Sequence, residues 1–190
     1  MGSQSTMPFT YRLLALFIFI TVMLAVDLRN PPAKRRRFKL YSFILSVGMI
    51  GAFFGVGVDS ITGAVSPDYF IYGKGLDAGA GLYRNILLLG SKAGFSGALI
   101  VGCVLALFNP KKDRVRHLYR YLLLPLVMSI GLGMGFGLVQ YYTAWVRLED
   151  VAFWGARQAR LFTTVWMVHV GIYVGALISL PLVGQQLRRL

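Results

Sequence analysis

The chain alternates long apolar runs with short polar breaks, and five runs are long enough to matter. They cover about residues 9–26, 40–58, 86–108, 121–145 and 161–184. A helix crosses a hydrocarbon core of roughly 30 Å with about 20 mostly apolar residues, because each residue adds about 1.5 Å. The pattern therefore predicts an all-α protein: a polytopic membrane helix bundle of five transmembrane helices, forming one domain over residues 1–190. The first run is the shortest. A cleaved signal peptide has a similar apolar stretch, but no small-x-small cleavage site precedes the charged segment that follows. That segment holds Arg29, Lys34, Arg35, Arg36, Arg37 and Lys39, which resist translocation, so the first run is read as a helix.

Charge adds an orientation. The net charge is +13, but the basic residues sit in the breaks between apolar runs. A nucleic-acid binder gathers its basic residues on one face of a soluble domain, which this pattern is not. With the N-terminus outside, the cytoplasmic segments 27–39, 109–120 and 185–190 carry 13 Lys and Arg residues against 6 in the external ones. That bias predicts N-out, C-in. Asp59, Asp68 and Asp77 then fall outside, and Tyr141, Tyr142 and Trp145 stand where an aromatic belt is expected. The opening Met1-Gly2-Ser3-Gln4-Ser5-Thr6 matches a myristoylation pattern loosely, and an external N-terminus is at odds with it.

Composition agrees with a membrane protein: 56% of residues are hydrophobic and the mean hydropathy is +0.63, above the roughly 45–50% apolar share of soluble domains. The single cysteine, Cys103, lies in an apolar run and has no intrachain partner for a disulfide.

Glycines recur four residues apart inside the runs. The pairs are Gly51 and Gly55, Gly90 and Gly94, Gly131 and Gly135, Gly133 and Gly137, and Gly171 and Gly175. Small residues at that spacing share a helix face and let two backbones approach closely. The same glycines also fit ordinary glycine enrichment of membrane helices. The dense run Gly131–Gly137 is not a phosphate loop, since it lacks the lysine and hydroxyl residue of that motif.

Ionisable groups inside apolar runs are candidates for function, because a charge in hydrocarbon is costly. Lys92 lies about two turns into the third run and is placed to neutralise Asp59 or to snorkel outward. His169 lies nine residues beyond Arg160, roughly 13 Å along a helix, with Trp166 and Tyr173 on the same face. It suits a structural hydrogen bond, a proton relay or a metal ligand. The only other histidine, His117, falls in a cytoplasmic segment, so neither a metal site nor a haem is expected, and no cofactor is assigned.

The external segment 59–85 contains Ile61, Val65, Tyr69, Phe70, Ile71 and Tyr72. With Ser66-Pro67-Asp68 as a turn between two short β-like stretches, it predicts a small element, such as a hairpin, capping the bundle. The segment 147–160, with Glu149, Asp150, Arg157 and Arg160, predicts an interfacial helix.

Asp59-Ser60-Ile61-Thr62 and Ser66-Pro67-Asp68-Tyr69-Phe70 resemble a segment of an uncharacterised group of small bacterial multi-pass membrane proteins, in which Asp-Gln-Ile-Thr precedes Ser-Pro-Glu-Tyr-Phe. Some of that group also end with a helix like Phe162-Thr163-Thr164-Val165-Trp166-Met167-Val168-His169. The likeness covers about residues 48–76 and 155–178, with Ser60 and Asp68 as departures. It implies a multi-pass protein of the bacterial inner membrane and brings no activity with it.

These features favour a non-enzymatic subunit or scaffold, packing with other membrane proteins or with itself through glycine faces and the external segment. Two alternatives stand beside it. One is a small transporter or channel using Lys92, His169 and Asp59, though no inverted repeat is visible. The other is a membrane enzyme on a lipid-type substrate, using Asp59, Asp68 or His169 as acid and base.

Overall fold

The computed structural model describes residues 9–31, 36–109, 115–147 and 156–189. All its elements are helical, and no strand occurs among the described residues. They are α1 (Phe9–Leu28), α2 (Arg36–Val65), a π-helical turn (Tyr69–Gly73), α3 (Leu82–Phe108), a 3-10 segment (Arg116–Leu122), α4 (Leu123–Thr143) and α5 (Ala156–Arg188).

Four helical stretches are long and apolar enough to cross a membrane: Phe38–Val65, Leu82–Phe108, Arg116–Thr143 and Ala159–Arg188. α1 contributes a shorter apolar stretch, Phe17–Leu28. Large apolar side chains point outward along the helices, with Phe53 74% and Leu107 83% exposed. A water-soluble bundle of this length would bury such stripes. Hydrocarbon solvates them, so the protein is a multi-pass membrane protein.

The bundle is built from two antiparallel hairpins. α2 pairs with α3, and α4 pairs with α5. Each hairpin closes on glycine. A Cβ added at Gly55 would fall on the Gly90 carbonyl, and one at Gly51 or Gly94 would strike the facing backbone. In the second hairpin, a Cβ at Gly171 would strike Leu132 and one at Gly175 would strike Met128, both at the carbonyl. On α4 the contact glycines are Gly133 and Gly137, which meet Ile172 and Val168. Gly131 and Gly135 point into open space.

Between the hairpins the packing is concentrated at the two ends. At one end Phe43, Val47, Leu105, Val115, Leu118, Val183 and Leu187 form a closed core. At the other, Tyr69, Phe70, Ile86, Phe162 and Val165 do so. The middle is left as a cleft.

Several expectations need correction. The helices outrun their apolar runs: α2 continues to Val65 and α3 starts at Leu82. The polar stretch after Val58 stays helical because its hydroxyls bond to their own helix. Ser60 Oγ donates to Val56 O at 2.7 Å, and Thr62 Oγ1 to Val58 O at 2.9 Å. Pro67 has no N–H to continue the ladder and disfavours helix at Ser66, so α2 stops there. The expected external hairpin of β-like stretches is instead the π turn, closed by Leu76 N–H donating to Phe70 O at 3.0 Å. Of the expected interfacial helix over 147–160, residues 148–155, with Glu149 and Asp150, lie outside the described residues, while Arg157 and Arg160 belong to the start of α5.

Candidate functional site

The cleft between the hairpins has a volume of about 440 Å³ and runs from Leu89 to Val101 on α3. That is about 18 Å at the helical rise per residue, more than half of a hydrocarbon core. Its walls are apolar: Val47, Phe54, Leu89, Leu126 and Ile172 among others. Its acidic and basic side chains, Asp59, His169 and Lys74, gather at one end with Tyr173.

Asp59 and His169 meet there. Asp59 Oδ1 lies 3.0 Å from His169 Nε2, and both residues are buried. α2 brings the aspartate and α5 the histidine, so the contact ties one hairpin to the other. Gly90 makes the room: a Cβ there would come within 2.7 Å of Asp59 Oδ2. The second ring nitrogen, Nδ1, lies 2.9 Å from Val165 O one turn earlier. A carbonyl only accepts, so Nδ1 carries a hydrogen and donates. Both ring nitrogens of His169 are thus engaged.

The π turn covers this pair with aromatic rings. Tyr69 stacks on His169, with ring centres 5.0 Å apart and planes 24° apart. Phe70 meets the imidazole edge-on at 6.0 Å. Consecutive residues thus both reach the histidine. Beyond the stack, Lys74 Nζ sits 5.3 Å above the Tyr69 ring, a cation–π contact. Burial pushes the Tyr69 phenol well above the usual tyrosine value, with Tyr173 and then Asp59 adding to the rise. Tyr69 is therefore a neutral O–H group at physiological pH.

Of the residues singled out by sequence, Asp59, Tyr69, Phe70, His169 and Tyr173 come together. Asp68 is half-buried at the start of the π turn and makes no side-chain cap bond to it. Lys92 lies in a separate groove between α1 and the α2–α3 pair, with Leu14, Phe17 and Phe95. It is two residues from Gly90, about 200° around the helix. Asp59 meets His169 where Lys92 was the expected neighbour. Trp166 is 39% exposed and does not line the cleft. Arg160 serves the end of α4: its Nε donates to Tyr141 O at 2.6 Å, and its guanidinium lies 4.8 Å above the Tyr141 ring. A cation there complements the free carbonyls of the helix terminus.

Two polar side chains, Lys74 at the cleft and Gln140 away from it, were not singled out by sequence. Lys74 is one basic residue in a loop, and nothing in its spacing marks it. Gln140 is buried in α4 and bonds Thr163 Oγ1 at 2.9 Å, Val146 O at 2.9 Å and Val146 N–H at 2.8 Å. A polar amide within the fourth apolar run was a signal, since hydrocarbon penalises an unpaired amide as it does a charge. Among the described residues no group of three His, Cys, Asp or Glu side chains is placed to hold a metal.

Compared with known proteins, the chain matches no family model, no curated protein and no solved structure.

Proposed function

We propose that this is a five-span protein of the bacterial inner membrane, N-out and C-in, that holds an amphipathic bilayer molecule in the cleft between its hairpins. The observation that carries the reading is the distribution of groups along one cleft: an apolar channel with its acidic and basic residues gathered at one end. A lipid-type molecule has that same division. The volume of about 440 Å³ lies in the usual range of small-ligand sites, roughly 300–1,000 Å³. The 20 residues of α1 supply the fifth span, and the basic bias of the loops together with the resemblance of the 59–70 segment supports the orientation and location. With both His169 nitrogens engaged, no ring lone pair is free to act as a base on a substrate. That favours binding over catalysis.

The test is gentle purification of the full chain followed by native mass spectrometry. The wild type is expected to retain a bound lipid of defined mass. Gly97 lines the cleft, and an added Cβ there meets nothing within 4 Å, so Gly97→Leu fills the cleft without breaking a helix contact. It should lose that lipid while keeping its helical spectrum. The same lipid complement on both proteins would sink the reading.

A second reading, a subunit packing against a partner, is favoured by one observation. Gly131 and Gly135 face open space, flanked by exposed Val127, Met134 and Leu138. A stoichiometric partner chain in the same preparation, lost on Gly135→Leu, would support it. The other glycine pairs favour it less, because their faces are occupied inside the chain.

A further inference from the structure

The charge balance of the cleft narrows the class of its occupant. His169 Nδ1 must donate to Val165 O, so the 3.0 Å contact between Nε2 and Asp59 Oδ1 needs a hydrogen of its own. That hydrogen sits either on Nε2, giving an imidazolium beside a carboxylate, or on Asp59, giving two neutral groups. In both cases the pair as a whole is neutral. The other titratable groups at this end are Lys74, just after the turn, and Tyr173 on α5, which line the cleft, and Tyr69 on the turn, which stacks on His169. α3 contributes Gly90 and Leu89 here, and α4 lines the cleft with apolar residues and Ser129. Lys74 is then the only charge left unbalanced among the lining residues.

We infer that the occupant, on the lipid-cleft reading above, is an anionic amphiphile whose phosphate- or carboxylate-type head group is held by Lys74 at the polar end of the cleft. Lys74 is exposed and lines the cleft, with its ammonium over the Tyr69 ring, 5.3 Å from the ring centre. Tyr69 is already in contact with His169, Phe162 and Lys74, which leaves no open aromatic cage for a cationic head group. Tyr173, which also lines the cleft, carries an O–H donor, and an ammonium with a neutral donor in the same cleft complements an anion.

The experiment uses the purified full-length protein in non-ionic detergent. Four probes are compared by binding isotherm: a long-chain alkyl phosphate, the alcohol of the same chain, the trimethylammonium of the same chain, and inorganic phosphate. The alkyl phosphate is expected to bind about tenfold more tightly than the alcohol, the size of one charge-assisted hydrogen bond. Lys74→Gln should bring it down to the alcohol's affinity, and Lys74→Arg should restore most of the difference. Inorganic phosphate should neither bind nor compete, which ties the site to a lipid head group rather than to a free anion. If the alcohol or the ammonium binds as tightly as the phosphate, or Lys74→Gln changes nothing, the head-group inference is overturned and the cleft reading stands. If inorganic phosphate competes, the site is a free-anion site and the inference fails. If no amphiphile binds, or Gly97→Leu leaves their binding unchanged, the cleft reading itself fails.

Discussion

Removing the Asp59 carboxylate isolates one of the side-chain bonds between the two hairpins. His169 donates Nδ1–H to its own helix at 2.9 Å, and Nε2 depends on Asp59 at 3.0 Å. In Asp59→Ala, Nε2 faces an apolar cleft with no partner. An orphaned neutral group costs about 1–3 kcal/mol, and a buried charge deprived of its partner costs about 3–5 kcal/mol. A loss of about 3 kcal/mol, where those ranges meet, is expected. Asp59→Asn is expected to cost only about 1 kcal/mol, since its amide N–H still donates to Nε2. His169→Phe keeps a ring against Tyr69 but orphans the aspartate, so it too destabilises. The double variant Asp59→Ala with His169→Phe leaves no orphan, and its cost falls short of the sum of the two singles by about 1–3 kcal/mol. Reversible unfolding in mixed micelles, followed by circular dichroism as denaturing detergent is titrated in, measures each corner of the cycle. A coupling below about 0.5 kcal/mol, the level expected of independent sites, would refute the argument that these side chains share a hydrogen.

Two further outcomes follow from the packing and the turn. Gly55→Ala places a methyl on the Gly90 carbonyl and is expected to destabilise by about 1–3 kcal/mol, whereas Gly131→Ala meets open space and leaves stability unchanged or raises it by up to about 1 kcal/mol; equal effects in the same unfolding assay would show that the α2–α3 zipper does not form. Burial holds the Tyr69 phenol above its ordinary value, so the folded protein keeps this proton where the unfolded chain releases it. Stability from this group is full below about pH 10 and declines as pH rises beyond it. Unfolding measured between about pH 9 and 11.5 should show that decline in the wild type and less of it in Tyr69→Phe; identical slopes would mean the phenol is solvated.

The membrane architecture was legible in the sequence because it rests on a one-dimensional quantity. Whether a stretch can cross hydrocarbon depends on its length and its summed transfer energy, and neither needs a neighbour. Four of the five expected runs correspond to helices that meet this criterion, and α1 is the apolar helix at the position of the fifth. The helix ends were less legible. Asp59, Ser60 and Thr62 read as the end of an apolar run, yet their side chains are satisfied by α2 itself and by α5, so the helix continues. The glycine pairs announced close contacts but not which pair meets which. On α4 only geometry separates Gly133 and Gly137, which touch α5, from Gly131 and Gly135, which do not.

The site divides in the same way. Asp59 stood out as an ionisable group at the end of one apolar run and His169 as one well inside another, each a local property of one residue in one run. That they meet was decided by the fold, since 110 positions separate them and two different helices carry them. Tyr69 and Phe70 were visible as aromatics in an external segment, but their place over the imidazole comes from a π turn that no alternation of apolar and polar residues encodes. Lys74 gained its meaning only from the tertiary structure: a loop lysine has no assigned neighbour until the chain folds it over a ring. The sequence by itself determined that this chain lives in a membrane and which groups burial there would penalise. The tertiary structure decided which of those groups satisfy one another, because pairing depends on distances between helices, and one-dimensional hydropathy carries no such distances.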